Sequence, residues 1–191
     1  MGALAAVCLV VQAVNDGRHY SLNRFGLRPR HVDGLWGILT DPFLHHSWSH
    51  ALSDTFTLIA IGWVLMLSGL RAWASVSVIV TVLGGLLAWS VSPAPHADAH
   101  AILGSNILVY GWLGYLLARA YFSRRLRWIL VAAAVLFFFG ALLGNLLPSY
   151  DATVPWQARV CGFVAGIAAG AILHPRRTSR RPSRARPPVV S

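Results

Sequence analysis

The residues with the richest chemistry fall in three short segments. From Gly34 the chain reads GLWGILTDPFLHHSWSHALSD, which sets His45, His46, His50 and Asp54 close together. Gly104-Ser105-Asn106 opens an apolar run, and Arg159 stands within the largely apolar stretch from Trp156 to Gly166. Imidazoles beside a hydroxyl and a carboxylate suit nucleophilic or acid-base catalysis, in which a base activates a weak nucleophile. Metal binding is the other option. His46 and His50, and again His96 and His100 with Asp98 between them, are four residues apart, which on a helix puts two imidazoles on one face as Zn2+ sites often use. Polar loop histidines have the same spacing, so these four are only candidate ligands, and no metal or other cofactor is expected.

The same segments carry a family resemblance. The run from Gly34 is similar to the first outside loop and second-helix start of bacterial rhomboid intramembrane serine proteases. Members there carry a histidine, four residues, a second histidine, three residues and an asparagine; His45, His50 and Asp54 match. Gly104-Ser-Asn-Ile-Leu-Val-Tyr-Gly resembles the family's nucleophile segment, Gly-x-Ser-Gly followed by two apolar residues, an aromatic and Gly. The match puts Asn106 at the nucleophilic serine and Ile107 at the following glycine. Trp156-Gln-Ala-Arg-Val-Cys-Gly-Phe-Val-Ala-Gly resembles the last-span segment of histidine, two residues, Gly, three residues, Gly. Gly162 and Gly166 fit, and Arg159 stands at the catalytic histidine.

The resemblance implies a serine, an activating histidine and oxyanion donors, and three of those positions are changed. Asn106 has no nucleophilic oxygen, Arg159 stays protonated, and an ionised Asp54 accepts hydrogen bonds where asparagine can donate. His50 remains as an oxyanion donor, so no intact catalytic set is expected. Ser105 is the obvious rescue candidate, but a helix would rotate it about 100° from Asn106. Because an unpaired Asp or Arg within a membrane helix costs roughly 2.5 to 3.5 kcal/mol, Asp54 and Arg159 are expected to form an ion pair in the cavity their family counterparts share, bridged by Asn106.

The elements that must position these residues are membrane helices. Only 12% of the 191 residues are charged and mean hydropathy is +0.59, against about 25% charged in soluble domains. Crossing a hydrocarbon core of about 30 Å takes about 20 helical residues. Six spans are predicted, approximately Gly2 to Val14, His50 to Leu70, Ala72 to Val91, Ile102 to Phe122, Trp128 to Leu147 and Trp156 to Leu173. The first is short, so either the chain starts upstream of Met1 or the helix continues past Asn15. The expected fold is an all-α, six-transmembrane-helix rhomboid-like bundle over residues 1–174, with residues 15–49 forming an interfacial first loop. Small-residue spacing at Gly140 and Gly144, and at Gly162, Gly166 and Gly170, suits close helix packing.

All sixteen basic residues are arginine, all six acidic ones aspartate, and the formal charge is +10. Arg71, Arg119, Arg124, Arg125, Arg127 and the arginines from Arg176 to Arg186 fall on one side, which the positive-inside rule makes cytoplasmic. Both termini are therefore expected inside, in a bacterial plasma membrane. Arg18, Arg24, Arg28 and Arg30 oppose this rule unless their loop lies at the headgroups. Residues 175–191 read as a disordered basic tail attracted to anionic lipid, so the charge does not point to nucleic acid. Cys8 and Cys161 read as small buried hydrophobes, and a cleavable signal peptide is not expected without a basic n-region.

Three functions compete. The first is a non-catalytic rhomboid homologue that binds transmembrane segments of client proteins. The second is an active intramembrane serine endopeptidase with an unrecognised nucleophile. The third is a small channel or transporter lined by Asp54 and Arg159, which broken spans or inverted repeats would favour.

Overall fold

The computed structural model describes residues 1–93, 101–148 and 155–175. Six long helices occur among the described residues. They are α1 (Gly2–Gly17), α2 (Trp48–Met66), α3 (Leu70–Val91), α4 (Asn106–Ser123), α5 (Leu126–Phe139) and α6 (Trp156–Leu173). Helices α2, α3 and α6 are long and apolar enough to cross a membrane, and α1 and α5 are shorter apolar helices. The chain is an all-α, multi-pass integral membrane protein with at least three crossing helices.

Local chemistry sets the helix ends. Ser47 caps α2 by accepting from the His50 backbone N–H at 3.3 Å, so one residue of the candidate site is held by the cap itself. Gly69, at φ 94°, turns the chain between α2 and α3, a backbone conformation that glycine adopts without steric cost. Arg124, at φ 50°, ends α4.

Helix α4 is the centre of the bundle: every residue from Ile107 to Leu116 is buried, against α2, α3, α5 and α6. Its contact with α6 is backbone on backbone. A Cβ built on Gly162 would lie 2.2 Å from Ile107 O, one on Gly166 1.8 Å from Gly111 O, and one on Gly114 2.3 Å from Phe163 O. Small residues here let the two main chains approach, as membrane helices without a hydrophobic driving force require. Helix α3 contains a π-helical turn, Val80–Gly84. Val80 fills the space beside Gly111, and Gly84 lies against Ile107 and Gly162.

Between α1 and α2 the chain forms short helical turns, Ser21–Phe25, Val32–Gly34, Gly37–Thr40 and Asp41–Phe43. Leu27, Ile38, Leu44, Asp41 and His45 are buried against the bundle, whereas Val32, Trp36 and Leu39 face outward, Trp36 at 73% exposure. The loop is laced to its neighbours by main-chain bonds. Leu27 and Ile102 exchange N–H···O bonds of 3.2 and 2.8 Å as an antiparallel bridge, and Trp89 Nε1 donates to His31 O at 2.9 Å. Of the four loop arginines, Arg28 pairs with Asp33 and Arg24 stacks on the Phe25 ring.

Three expected boundaries shift. Helix α1 continues to Gly17, where Asn15 Oδ1 accepts from the Leu22 N–H and Asn15 Nδ2 donates to Asn23. Helix α4 begins at Asn106, not near Ile102, because Ile102 is committed to the bridge with Leu27. Helix α5 ends at Phe139, not Leu147: the chain turns at Gly140, whose Cβ position would meet Leu136 O at 2.2 Å, and resumes as Ala141–Gly144. Cys8 and Cys161 are free and buried, as expected. His96, Asp98, His100 and residues 176–191 lie outside the described residues.

Candidate functional site

A cavity of about 260 Å³ opens beside the first turns of α2, α4 and α6. It is lined by His50, Ser53, Asp54 and Thr57 from α2, Asn106, Val109 and Tyr110 from α4, Leu142 and Asn145 after α5, and Arg159 from α6. The fold therefore brings Asn106, Asp54, His50 and Arg159 to one polar opening.

Asp54 is the hub. Its Oδ2 accepts from the Ser105 backbone N–H at 3.1 Å and from Asn106 Nδ2 at 3.3 Å, with Ser105 Oγ at 3.5 Å. Two imidazoles flank the same oxygen, His50 Nε2 at 3.4 Å and the fully buried His45 Nε2 at 3.6 Å. The His50 relation follows from i,i+4 spacing on α2. The approach of Ser105 depends on Gly104, at φ 106°, where a Cβ would lie 2.8 Å from Asp54 Oδ2. Gly104 N in turn donates to Asp41 O at 3.0 Å, which ties the nucleophile-like segment to the first loop. Burial pushes the Asp41 carboxyl well above the usual carboxylate range.

Asp54 and Arg159 share the cavity but form no direct ion pair; Arg159 NH1 donates to Asn145 O at 3.3 Å, while the Asp54 oxygen is already taken by main-chain, amide and imidazole groups. Asn106 reaches Asp54 only. Ser105 is also not a helical residue rotated past Asn106. It is the N-cap of α4, 1% exposed, with its hydroxyl turned to Asp54 and outside the cavity wall.

The arrangement lacks the order that serine activation needs. In a Ser-His-Asp relay the imidazole stands between hydroxyl and carboxylate; here the carboxylate stands between Ser105 and the imidazoles. Thr57 Oγ1 donates to Ser53 O at 3.0 Å, and His50 Nε2 faces Asp54 Oδ2. His46 and His50 stack in parallel with ring centroids 6.1 Å apart. Among the described residues no three His, Cys or Asp side chains converge to hold a metal ion.

The sequence reading missed Asn145, Tyr110, Ser53 and Thr57 as parts of the cavity. Asn145 was open to detection as a lone amide in a long apolar stretch, and Thr57 as the i+3 neighbour of Asp54.

A family model described as Rhomboid domain matches residues 32–176. An uncharacterized protein of Mycobacterium tuberculosis is 32% identical over 190 residues, covering 94% of this chain and 77% of the relative, and one of Mycobacterium bovis matches with the same figures. An uncharacterized protein of Mycobacterium leprae is 31% identical over 185 residues, covering 92% and 71%.

Proposed function

Because this chain belongs to the rhomboid family, we propose that it keeps a six-span rhomboid fold without proteolytic chemistry and acts by binding transmembrane segments of client proteins. What supports this reading is the wall of the cavity: it is lined by Asn106 and Arg159, which the resemblance puts at the nucleophile and base positions, and Ser105 is buried on Asp54. Asn106 then serves as an amide donor, Arg159 as a fixed cation, and His50 with Asp54 as a polar floor. Such a site can hydrogen-bond an unwound or polar stretch of a client helix, but it has no activated oxygen with which to form an acyl-enzyme. The cavity lies between α2 and the stretch after α5, where a helix arriving from the side would meet it.

In the same reading, α1 and α5 complete the six spans and α4 crosses at the centre. Arg71, Arg119, Arg124, Arg125 and Arg127 mark the cytoplasmic side of a bacterial plasma membrane, with both termini inside. Val32, Trp36 and Leu39 rest in the opposite interface, where an amphipathic loop with arginines at the headgroups is stable.

The test is reconstitution of the purified chain with a generic rhomboid substrate and a serine-directed fluorophosphonate probe. No cleavage and no labelling are expected, whereas Asn106→Ser combined with Arg159→His gains labelling that neither single change gives. Labelling of the unaltered chain that disappears with Ser105→Ala or Ser53→Ala would establish an active endopeptidase instead. Crosslinking within the membrane then identifies the clients of the inactive form.

A further inference from the structure

A second opening lies at the other end of the bundle, away from the site. A cavity of about 590 Å³ is formed where α4 passes into α5 and α6 ends, with Arg119, Ser123, Arg125, Arg127, Trp128 and His174 in its wall. Phe122 and Leu173 give it an apolar side.

Arg119 is the unusual residue. It is only 8% exposed, its NH1 donates to Tyr115 Oη at 2.6 Å, and its guanidinium carbon stands 3.7 Å from the centre of the Trp128 ring. Its Nε is buried with no hydrogen-bond partner, and so is Ser123 Oγ. Arg127 approaches the same indole at 5.2 Å. Tyr115 Oη is shared with His174 Nε2 at 2.9 Å, and burial followed by the Arg119 charge holds His174 below its ordinary value, so the imidazole is a neutral partner.

Among the described residues no carboxylate answers these charges. The six acids are Asp16, Asp33, Asp41, Asp54, Asp98 and Asp151. The first four belong to α1, the first loop and the start of α2, and the last two to the α3–α4 and α5–α6 links, whereas this cavity is built from the α4–α5 link and the end of α6. Among the described residues no carboxylate oxygen comes within 4.0 Å of Arg119, Arg125 or Arg127. A buried guanidinium with an unused donor, two further arginines and an unsatisfied hydroxyl, all without a counter-charge, need an anion with several acceptor oxygens. Phosphate meets that need through short charge-assisted bonds in a planar fork.

We propose that this cavity is a binding site for a phosphate-bearing anion, seated on Arg119, Arg125, Arg127 and Ser123 against the face of Trp128. The apolar side at Phe122 and Leu173 favours a phosphate joined to an apolar chain, as in the headgroup of an anionic lipid. A soluble phosphate has the same oxygens but no use for that side.

The experiment uses the full-length protein, delipidated in detergent, with phosphatidylglycerol, phosphatidylcholine and inorganic phosphate as probes. Binding is read by native mass spectrometry and by thermal shift. The test variant is Arg125→Gln/Arg127→Gln, since both side chains are exposed and the fold does not depend on them; the control, Arg18→Gln/Arg24→Gln, removes equal charge at the other end. Phosphatidylglycerol should bind saturably, weaken at least about tenfold in the test variant, and be unchanged in the control, with phosphatidylcholine much weaker. Displacement of the lipid by inorganic phosphate at matched concentration would assign the site to a soluble phosphate, and failure to displace assigns it to the headgroup. Equal weakening in both variants, or no saturable binding of either anionic probe, overturns the site.

Discussion

Gly166→Ala tests the reading that α4 and α6 meet through their main chains. The added Cβ would lie 1.8 Å from Gly111 O and 2.9 Å from Tyr115 N, where ordinary contact begins at 3.4 Å. The helices must therefore part by about 1.6 Å at that level, because the obstacle is main chain and has no rotamer to escape into. Overpacking of this kind costs roughly 1–3 kcal/mol, and a backbone obstacle belongs at the upper end. Alanine returns roughly 0.5–1 kcal/mol of helix propensity. A net loss of about 2 kcal/mol lowers the melting temperature by roughly 4–8 °C in a chain of this length. Thermal unfolding in a mild detergent, followed by tryptophan fluorescence, reads the shift. Gly144→Ala is the control, since nothing lies within 4 Å of a Cβ there, and it should be neutral or slightly stabilising. Equal melting temperatures for the two variants would refute the close approach of α4 and α6.

The buried Asp41 carboxyl has no partner on Oδ2, and its protonated form is favoured in the folded chain. Its stabilisation is complete below the unfolded value of about 3.9 and is lost as pH rises toward the folded value. Asp41→Asn should then melt higher than the parent at pH 7 and converge with it near pH 4; a deficit at both pH values would defeat the assignment. Asp54→Asn removes a charged acceptor from Ser105 N and Asn106 Nδ2 and should cost about 1.5–3 kcal/mol. In a cycle with Arg159→His the second change should not recover the first loss, because no direct pair joins them. Recovery of stability in the double variant would restore the ion pair.

The membrane class was legible because a chain this short of charge has no other solvent in which to bury its apolar surface. That His50, Asp54, Asn106 and Arg159 line one cavity could be expected only through the family resemblance, since the three segments are far apart in sequence. What the sequence concealed was main-chain business. The partner of Arg159 is a carbonyl, which any residue type supplies, and α4 starts late because Ile102 pairs with Leu27 75 positions away. The inward environment of Arg119 was hidden for a related reason. An arginine near a helix end reads as a topology marker, and only the indole of Trp128 folding over it turns it inward.

The wide turn Val80–Gly84 sets the phase of α3. The residues that α3 buries are Val76, Val80, Gly84, Gly85 and Ala88, and four of them, Val76, Val80, Gly84 and Ala88, are spaced four apart. In an unbroken helix of 3.6 residues per turn each such step overshoots by roughly 40°, about 120° across three steps, and the stripe would wind off its neighbours. A turn that takes more residues to close brings the stripe back into line. Loss of one residue from this turn would rotate everything after it by about 100°, swinging Gly85 and Ala88 toward lipid and presenting bulkier side chains to Ile38 and α6. The helix is therefore intolerant of single-residue length changes at a point where its composition, Val-Thr-Val-Leu-Gly, shows no sign of constraint.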